Sequence, residues 1–317
     1  MGMQRRGSQW DYRLLNYWTR LVNRLGVDRS YEQFFRFEKA TGFLYTRLKC
    51  KVKLDYYPSI RNPRSFNEKS IHRRLFSRNA LWPVVTDKLL VRQWLSQNGL
   101  DNGLGFLPLM DVIEDAKSYD FSKLEGPLVI KAAWGSGYNL FVDDAEREDW
   151  ASIRQRLIDW QHQPFKPLNL AWTDTQVRRV FLVERRYSEP GKRMLDDYKF
   201  FVFHGRVQLI ETIADRENKK VESFFDRDLK AHGEFPGNEV NGRKLDVRVA
   251  DMVELAECIG RHFDFVRVDF YLHEGDILFG EITQCPANGF GNTLPKAIDF
   301  SLGGKWRYEP KASHEAL

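Results

Sequence analysis

The chain has 317 residues, 42% hydrophobic and 14% aromatic, which is enough for one large or two modest domains with a true core and excludes a disordered chain. Its three cysteines, Cys50, Cys258 and Cys285, are odd in number, far apart and at no metal-ligand spacing, so they read as reduced thiols; with no apolar run able to cross a bilayer and no secretory leader, the expectation is a cytoplasmic protein. The formal charge of +5 is uneven, because residues 1–53 carry twelve Lys or Arg against four Asp or Glu while the remainder is slightly acidic; this favours nucleotides, acidic glycans or a lipid surface, and no Lys/Arg block points to nucleic acid.

In residues 10–25 the apolar positions Trp10, Leu14, Trp18, Leu21, Val22 and Leu25 recur at helical spacing among Arg13, Arg20 and Arg24. This is an amphipathic basic helix, read either as an interfacial helix touching a membrane or a lipid-linked substrate, or as a helix packed by its aromatic face. Residues 31–48 read as a continuing helix. The chain breaks around Pro58 and Pro63, and Ser65-Phe66-Asn67-Glu68 has the form of a capping box. Thr86-Asp87-Lys88 is expected to open a helix through Val91, Trp94 and Leu95 that Asn98-Gly99 ends. Lys88 would then oppose the helix dipole, which suits an anionic partner as well as a solvated lysine.

Residues 127–142 read as strand, small loop, strand. Gly135 and Gly137 let backbone amides approach phosphate oxygens, Ser136 lies between them, and Lys131 projects from the first strand; a plain hairpin turn would look the same. The loop lacks the Lys-Ser/Thr of a Walker loop and the third glycine of a dinucleotide fingerprint. A helix through Trp150, Ile153, Leu157 and Trp160 follows, then a polar loop over residues 161–174. Residues 180–184 form a buried strand ending in Glu184, and residues 197–210 a hairpin turning at His204-Gly205 with Lys199 and Arg206 on its arms. Residues 223–228 make another strand and turn, and residues 251–260 a helix.

Residues 263–283 carry the most chemistry. Two alternating stretches joined at His273-Glu274-Gly275-Asp276 predict a hairpin that sets Asp269 against Glu281. Two carboxylates on adjacent strands suit Mg²⁺, which takes one or two of them and fills its shell with water and phosphate oxygens. Arg267, two residues before Asp269, shares its face; the three could equally form a structural ion-pair cluster.

In this order the blocks Ser65-Phe66-Asn67-Glu68-Lys69, Asp87-Lys88-Leu89-Leu90-Val91-Arg92, Val129-Ile130-Lys131 with Gly135-Ser136-Gly137, Asp197-Tyr198-Lys199-Phe200-Phe201, Phe265-Val266-Arg267-Val268-Asp269 and Phe279-Gly280-Glu281-Ile282-Thr283 with Gly289-Phe290-Gly291 resemble the ATP-grasp superfamily, and within it the TupA-like family associated with surface polysaccharide biosynthesis. The resemblance spans residues 64–306. It implies an α+β ATP-grasp fold with the nucleotide between two antiparallel sheets. The expected organisation is a basic helical segment over residues 1–60, an ATP-grasp domain over 61–309 with lobes at 61–184 and 185–309, and a polar tail over 310–317. It further implies ATP phosphates on Lys88, Lys131 and Lys199 under the Gly135-Ser136-Gly137 loop, Glu184 near the adenosine, one or two Mg²⁺ ions on Asp269 and Glu281, and Arg267 stabilising the transferred phosphate. Thr283 stands where many ATP-grasp ligases have a metal-binding Asn, and Asn288 is the expected substitute.

The activity so implied is an amide ligase. ATP would activate a carboxylate as an acyl phosphate for attack by an amine or amino acid, the carboxylate being a uronic acid of a lipid-linked acidic polysaccharide contacted by Arg206, Asn288 and Asn292. Residues 1–60 would make peripheral contact with the inner membrane face. The alternatives are a glycosyltransferase using Asp226-Arg227-Asp228 and a non-catalytic glycan- or membrane-binding scaffold.

Overall fold

The computed structural model describes residues 7–163, 167–189, 192, 194–215, 218, 220–233, 235 and 245–308; the expected polar tail lies outside these. The chain forms two compact units: residues 1–79, 164–175 and 284–317 make one, residues 80–163 and 176–283 the other.

The first unit is helical. Helices α1 (Gln9–Leu25), α2 (Tyr31–Ala40), α3 (Leu44–Leu54) and α4 (Phe66–Phe76) come from its first segment and α9 (Lys296–Lys305) from its last. The continuous helix expected over residues 31–48 is two helices, because Gly42 and Phe43 both adopt left-handed backbone with φ 64° and 58°. Ser65 does form the capping box with Glu68. The helix it opens, α4, is buried nearly all round. Asp299 of α9 accepts from the Asn67 amide at 2.8 Å and from Tyr56 Oη at 2.6 Å, so the start of α4 is fixed from two sides. On α1 the apolar residues divide. Val22 is fully buried and Leu15 and Trp18 pack on the core, whereas Trp10, Leu14, Tyr17 and Leu25 are 76%, 43%, 62% and 55% exposed. Among the described residues no helix is long and apolar enough to cross a membrane.

The second unit holds two antiparallel sheets. After α5 (Leu81–Thr86) and α6 (Leu90–Gln97), strands β1 (Leu109–Ile113), β2 (Leu128–Ala132), β3 (Asn139–Val142) and β4 (Phe181–Arg185) pair in the order β1-β4-β2-β3. Helix α7 (Trp150–His162) packs on one face through Leu157 and Ile153. Strands β5 (Asp197–Phe203), β6 (Arg206–Ala214), β7 (Val221–Phe225), β8 (Phe265–His273) and β9 (Asp276–Thr283) pair in the order β7-β6-β5-β8-β9. Alternation sorts this sheet by face. Phe200, Val202, Ile210, Val266, Val268 and Phe270 bury against α8 (Arg248–Gly260), leaving Lys199, Glu211, Arg267 and Asp269 on the other face.

Candidate active site

Cross-strand register builds a row of charge on that second face. Glu211, Lys199, Asp269 and Glu281 are successive partners across β6, β5, β8 and β9. The last pairing depends on a bulge. From the turn, His273 pairs with Asp276 and Phe270 with Phe279, a register that would set Asp269 opposite Gly280 and turn Glu281 to the helix side. Gly280 is instead the extra residue of a β-bulge, and Glu281 returns to face Asp269. Glycine is required there, because a Cβ would lie 2.8 Å from the Asp269 carbonyl oxygen.

Arg267 clamps this pair. Its Nε and Nη2 donate to the two Asp269 oxygens at 2.7 Å each, and Nη2 also donates to Glu281 Oε1 at 2.8 Å. Lys199 Nζ adds a 2.6 Å bond to Asp269 Oδ2 and lies 3.3 Å from Asp197 Oδ1. Thr283 joins through its hydroxyl, which donates to Glu281 Oε1 at 2.9 Å. Burial opposes the charge on Glu281, but Arg267, Lys88 and Lys199 outweigh it and hold its carboxyl at about 2. Burial likewise opposes the Lys199 charge, and Asp269 reverses the effect, raising its pKa. Glu211 is raised by burial, which the charges of Arg267 and Lys199 offset only in part.

The four-stranded sheet supplies the rest of the pocket. Lys131 Nζ meets Glu184 Oε2 at 2.8 Å, and Glu184 Oε1 accepts from Arg92 Nη2. Arg92 also donates to the Leu107 carbonyl at 3.1 Å. Strand β2 leads directly into the Gly135-Ser136-Gly137 loop and back along β3, so no helix follows it. Gly135 and Gly137 have φ 62° and 86°, conformations that cost a side-chain-bearing residue strain. Lys88 reaches this loop, its Nζ donating to the Gly135 carbonyl at 2.9 Å. It does not stand in a helix first turn as expected. Thr86 ends α5, Asp87 Oδ1 accepts from the amides of Leu89 and Leu90, and α6 starts at Leu90.

One pocket of the second unit is thus lined by Lys88, Lys131, Gly135, Ser136, Gly137, Glu184, Lys199, Arg267, Asp269 and Glu281, ten residues singled out from sequence. It also holds Arg92 and Asp197, which were not. Arg92 comes from the first turn of α6, which follows Lys88 directly in the chain. A more apolar recess adjoins, with Val129, Phe141, Tyr187, Met194 and Leu195, sharing Lys131 and Asp197. Arg206 is not brought there. It is exposed at the opposite end of the β5–β6 hairpin, where it pairs with Phe203. Asn288 and Asn292 belong to the first unit, Asn288 in a short turn at φ 56°.

Among the described residues no three His, Cys, Asp or Glu side chains group as metal ligands. Two carboxylates, Asp269 and Glu281, do converge on a single nitrogen of Arg267, and two would suffice to hold Mg²⁺ beside phosphate oxygens. The Asp226-Arg227-Asp228 triplet is otherwise engaged. Asp226 Oδ1 accepts from the amides of Asp228 and Lys230, both at 2.9 Å, and Arg227 grips Glu257.

No curated protein sequence matches the chain. Among solved structures it is similar to a D-alanine–D-alanine ligase from Bacillus anthracis complexed with ATP, at 14% identity over 70% of this chain and 60% of that one, TM-score 0.42. It is similar at 12% to the ATP-grasp ligase PsnB complexed with minimal precursor, Mg and ADP, over 71% and 59%, TM-score 0.39. An N5-carboxyaminoimidazole synthase from Aspergillus clavatus aligns at 14% over 63% and 44%, TM-score 0.38. The chain therefore spans under two thirds of the length of each. The family model for TupA-like ATPgrasp matches residues 69–307, three quarters of the chain and both sheets: the chain belongs to the TupA-like ATP-grasp family.

Proposed function

We propose that the chain is an ATP-dependent carboxylate–amine ligase that joins an amino acid or small amine to a uronic acid of a surface polysaccharide. The observation that carries this reading is the Arg267-clamped pair Asp269–Glu281 in one pocket with Lys88, Lys131, Lys199 and the glycine loop. Asp269 and Glu281 hold one Mg²⁺, since Thr283 is bonded to Glu281 and offers no carboxylate or amide of its own. Bound Mg-ATP would supply the phosphoryl group that activates the carboxylate, with ADP as leaving group, and the amine would then attack the activated carbonyl carbon with loss of phosphate.

The residues themselves bind and orient. Lys131 and Lys88 offer ammonium groups from the two sides of the glycine loop, and the loop amides can approach oxygens that a Cβ would keep away. Glu184 keeps Lys131 and Arg92 extended into the pocket. The apolar recess beside Lys131 suits a flat base, and Arg267 with Lys199 neutralises charge developing in transfer. Such a site works by alignment and electrostatics rather than covalent catalysis.

The carboxylate partner in this reading is a lipid-linked acidic glycan on the cytoplasmic side. The exposed Trp10, Leu14, Tyr17 and Leu25 of α1, among Arg13, Arg20 and Arg24, support peripheral membrane contact there. The test is incubation with Mg-ATP, mixed amino acids and a uronate-containing oligosaccharide. ADP, phosphate and a product of mass amine plus acid minus water are expected. Release of UDP from an added UDP-sugar, or neither ATP turnover nor ATP binding, would overturn it.

A further inference from the structure

The first unit buries a guanidinium that no carboxylate pairs with among the described residues. Arg74 of α4 is 6% exposed, and its Nη1 donates to the Asn169 carbonyl. Its Nε and Nη2 have no hydrogen-bond partner among the described residues. These two nitrogens form one edge of the guanidinium, the edge that grips both oxygens of a carboxylate or phosphate. Arg267 demonstrates the same edge in use, with both its nitrogens on Asp269 at 2.7 Å.

A second cation stands beside it. Lys49 Nζ donates to Asn169 Oδ1 at 3.1 Å, so the two side chains meet on one residue. They also share an aromatic platform: Lys49 Nζ and Arg74 Cζ lie 4.7 and 4.9 Å from the centre of the Phe290 ring. No carboxylate forms a salt bridge with either among the described residues. The acid that does act on both through space, Glu38, has its two oxygens taken by the amides of Tyr45 and Thr46, each at 2.9 Å. Burial, with Arg74 and Lys53 adding repulsion, pushes the Lys49 ammonium down to about 7. Leaving two cations together away from water is costly unless an anion completes the site. Arg74 is buried, and Lys49 and Asn169 beside it are both half-buried.

We propose that Arg74, Lys49 and Asn169 form an oxyanion-binding site that receives a carboxylate or phosphate group on the open edge of Arg74. This site stands apart from the ligase reading, since it uses none of the nucleotide-pocket residues.

The test reads Lys49 itself, because phosphate will also enter the other pocket. The intact protein is treated at pH 7.5 with a trace of an amine-acylating reagent, and modification at Lys49 is quantified by peptide mass mapping. Inorganic phosphate or glucuronate is expected to suppress labelling at Lys49 about tenfold once present at about ten times its Kd. Protection by phosphate alone identifies a phosphoryl ligand, by glucuronate alone a carboxylate, and by both a site for simple oxyanions. In Arg74→Gln the protection should vanish. Should that variant not fold, Arg74→Lys keeps the charge, loses the two-nitrogen edge and should weaken protection. Unchanged labelling of Lys49 under both anions in the folded wild-type protein, or full protection retained in Arg74→Lys and Arg74→Gln, would overturn the proposal.

Discussion

Each acid in the pocket is held for a different reason, and its substitution should read out accordingly. Asp269 is fastened by both Arg267 and Lys199, so Asp269→Asn removes the shared carboxylate of two buried cations and, among the described residues, leaves Lys199 only Asp197 and Arg267 only Glu281 as acid partners. Turnover should disappear in Asp269→Asn and in Glu281→Gln, with folding retained in the second; full ATP turnover in either would refute the metal assignment. Glu281 makes a further prediction through pH. Its carboxyl is at about 2 in the folded protein and titrates near the ordinary value once unfolded. The unfolded state therefore binds more protons between about 4.5 and 2, so the stability Glu281 contributes is complete above that window and is lost as pH falls through it. The unfolding midpoint of Glu281→Gln should fall less steeply than wild type from pH 5 to pH 3 in urea titrations. Most of these side chains were legible because strand parity and turn position are local. Arg74 and Lys49 were not, since they come from different helices and meet at Asn169 and the Phe290 ring, far away in sequence.

Among the elements, the β8–β9 hairpin shows how little a correct pairing owes to the turn alone. His273 to Asp276 was readable from sequence, yet a regular ladder from that turn would place Glu281 on the wrong face; the bulge at Gly280 corrects it. Gly280→Val should press a side chain onto the Asp269 carbonyl, shift Glu281 out of register and destabilise the protein by roughly 1–3 kcal/mol. Urea unfolding measures the loss, and a variant with wild-type midpoint and activity would deny the bulge this role. Strand β1 carries no clear sequence signal, because Asp111 interrupts its apolar pattern; that acid is tied to Tyr119 at 2.6 Å and to Lys123 at 2.6 Å. Helix α1 was readable, but which of its two apolar faces packs inward is tertiary information. The structure turns Val22 in and Trp10, Leu14 and Tyr17 out. Substituting Trp10 and Leu14 by Ser should therefore spare the core while weakening binding to phosphatidylglycerol-containing vesicles by about 1 kcal/mol or more per residue. Equal sedimentation of variant and wild type with vesicles would return the stripe to plain surface.

At the scale of the whole molecule, the chain carries two anion-seeking centres in two separately packed units. The pocket of Lys88, Lys131 and Asp269 draws every lining residue from the unit of residues 80–163 and 176–283, and the Arg74–Lys49 pair draws every member from the other. Their electrostatics also differ. In the pocket Arg267 and Lys199 are already matched by Asp269, Asp197 and Glu281, so an incoming polyphosphate exchanges partners. At Arg74 no acid stands to be displaced among the described residues, and an anion fills an open edge. Ligands should accordingly protect different backbone amides from hydrogen exchange. Mg-ADP is expected to slow exchange in β2, β5, β8 and β9 and in residues 133–138, where ladder hydrogen bonds flank the pocket. Glucuronate or phosphate, added with Mg-ADP already saturating, should slow exchange in α3 and α4, whose side chains Lys49 and Arg74 it would tie together. Protection of α3 and α4 by the anion that survives Lys131→Ala would place it independently of the nucleotide site. The outcome that sinks this division is an anion effect confined to β2, β5 and β8, which would mean that both ligands compete for the same lysines and that the buried guanidinium takes no part in binding.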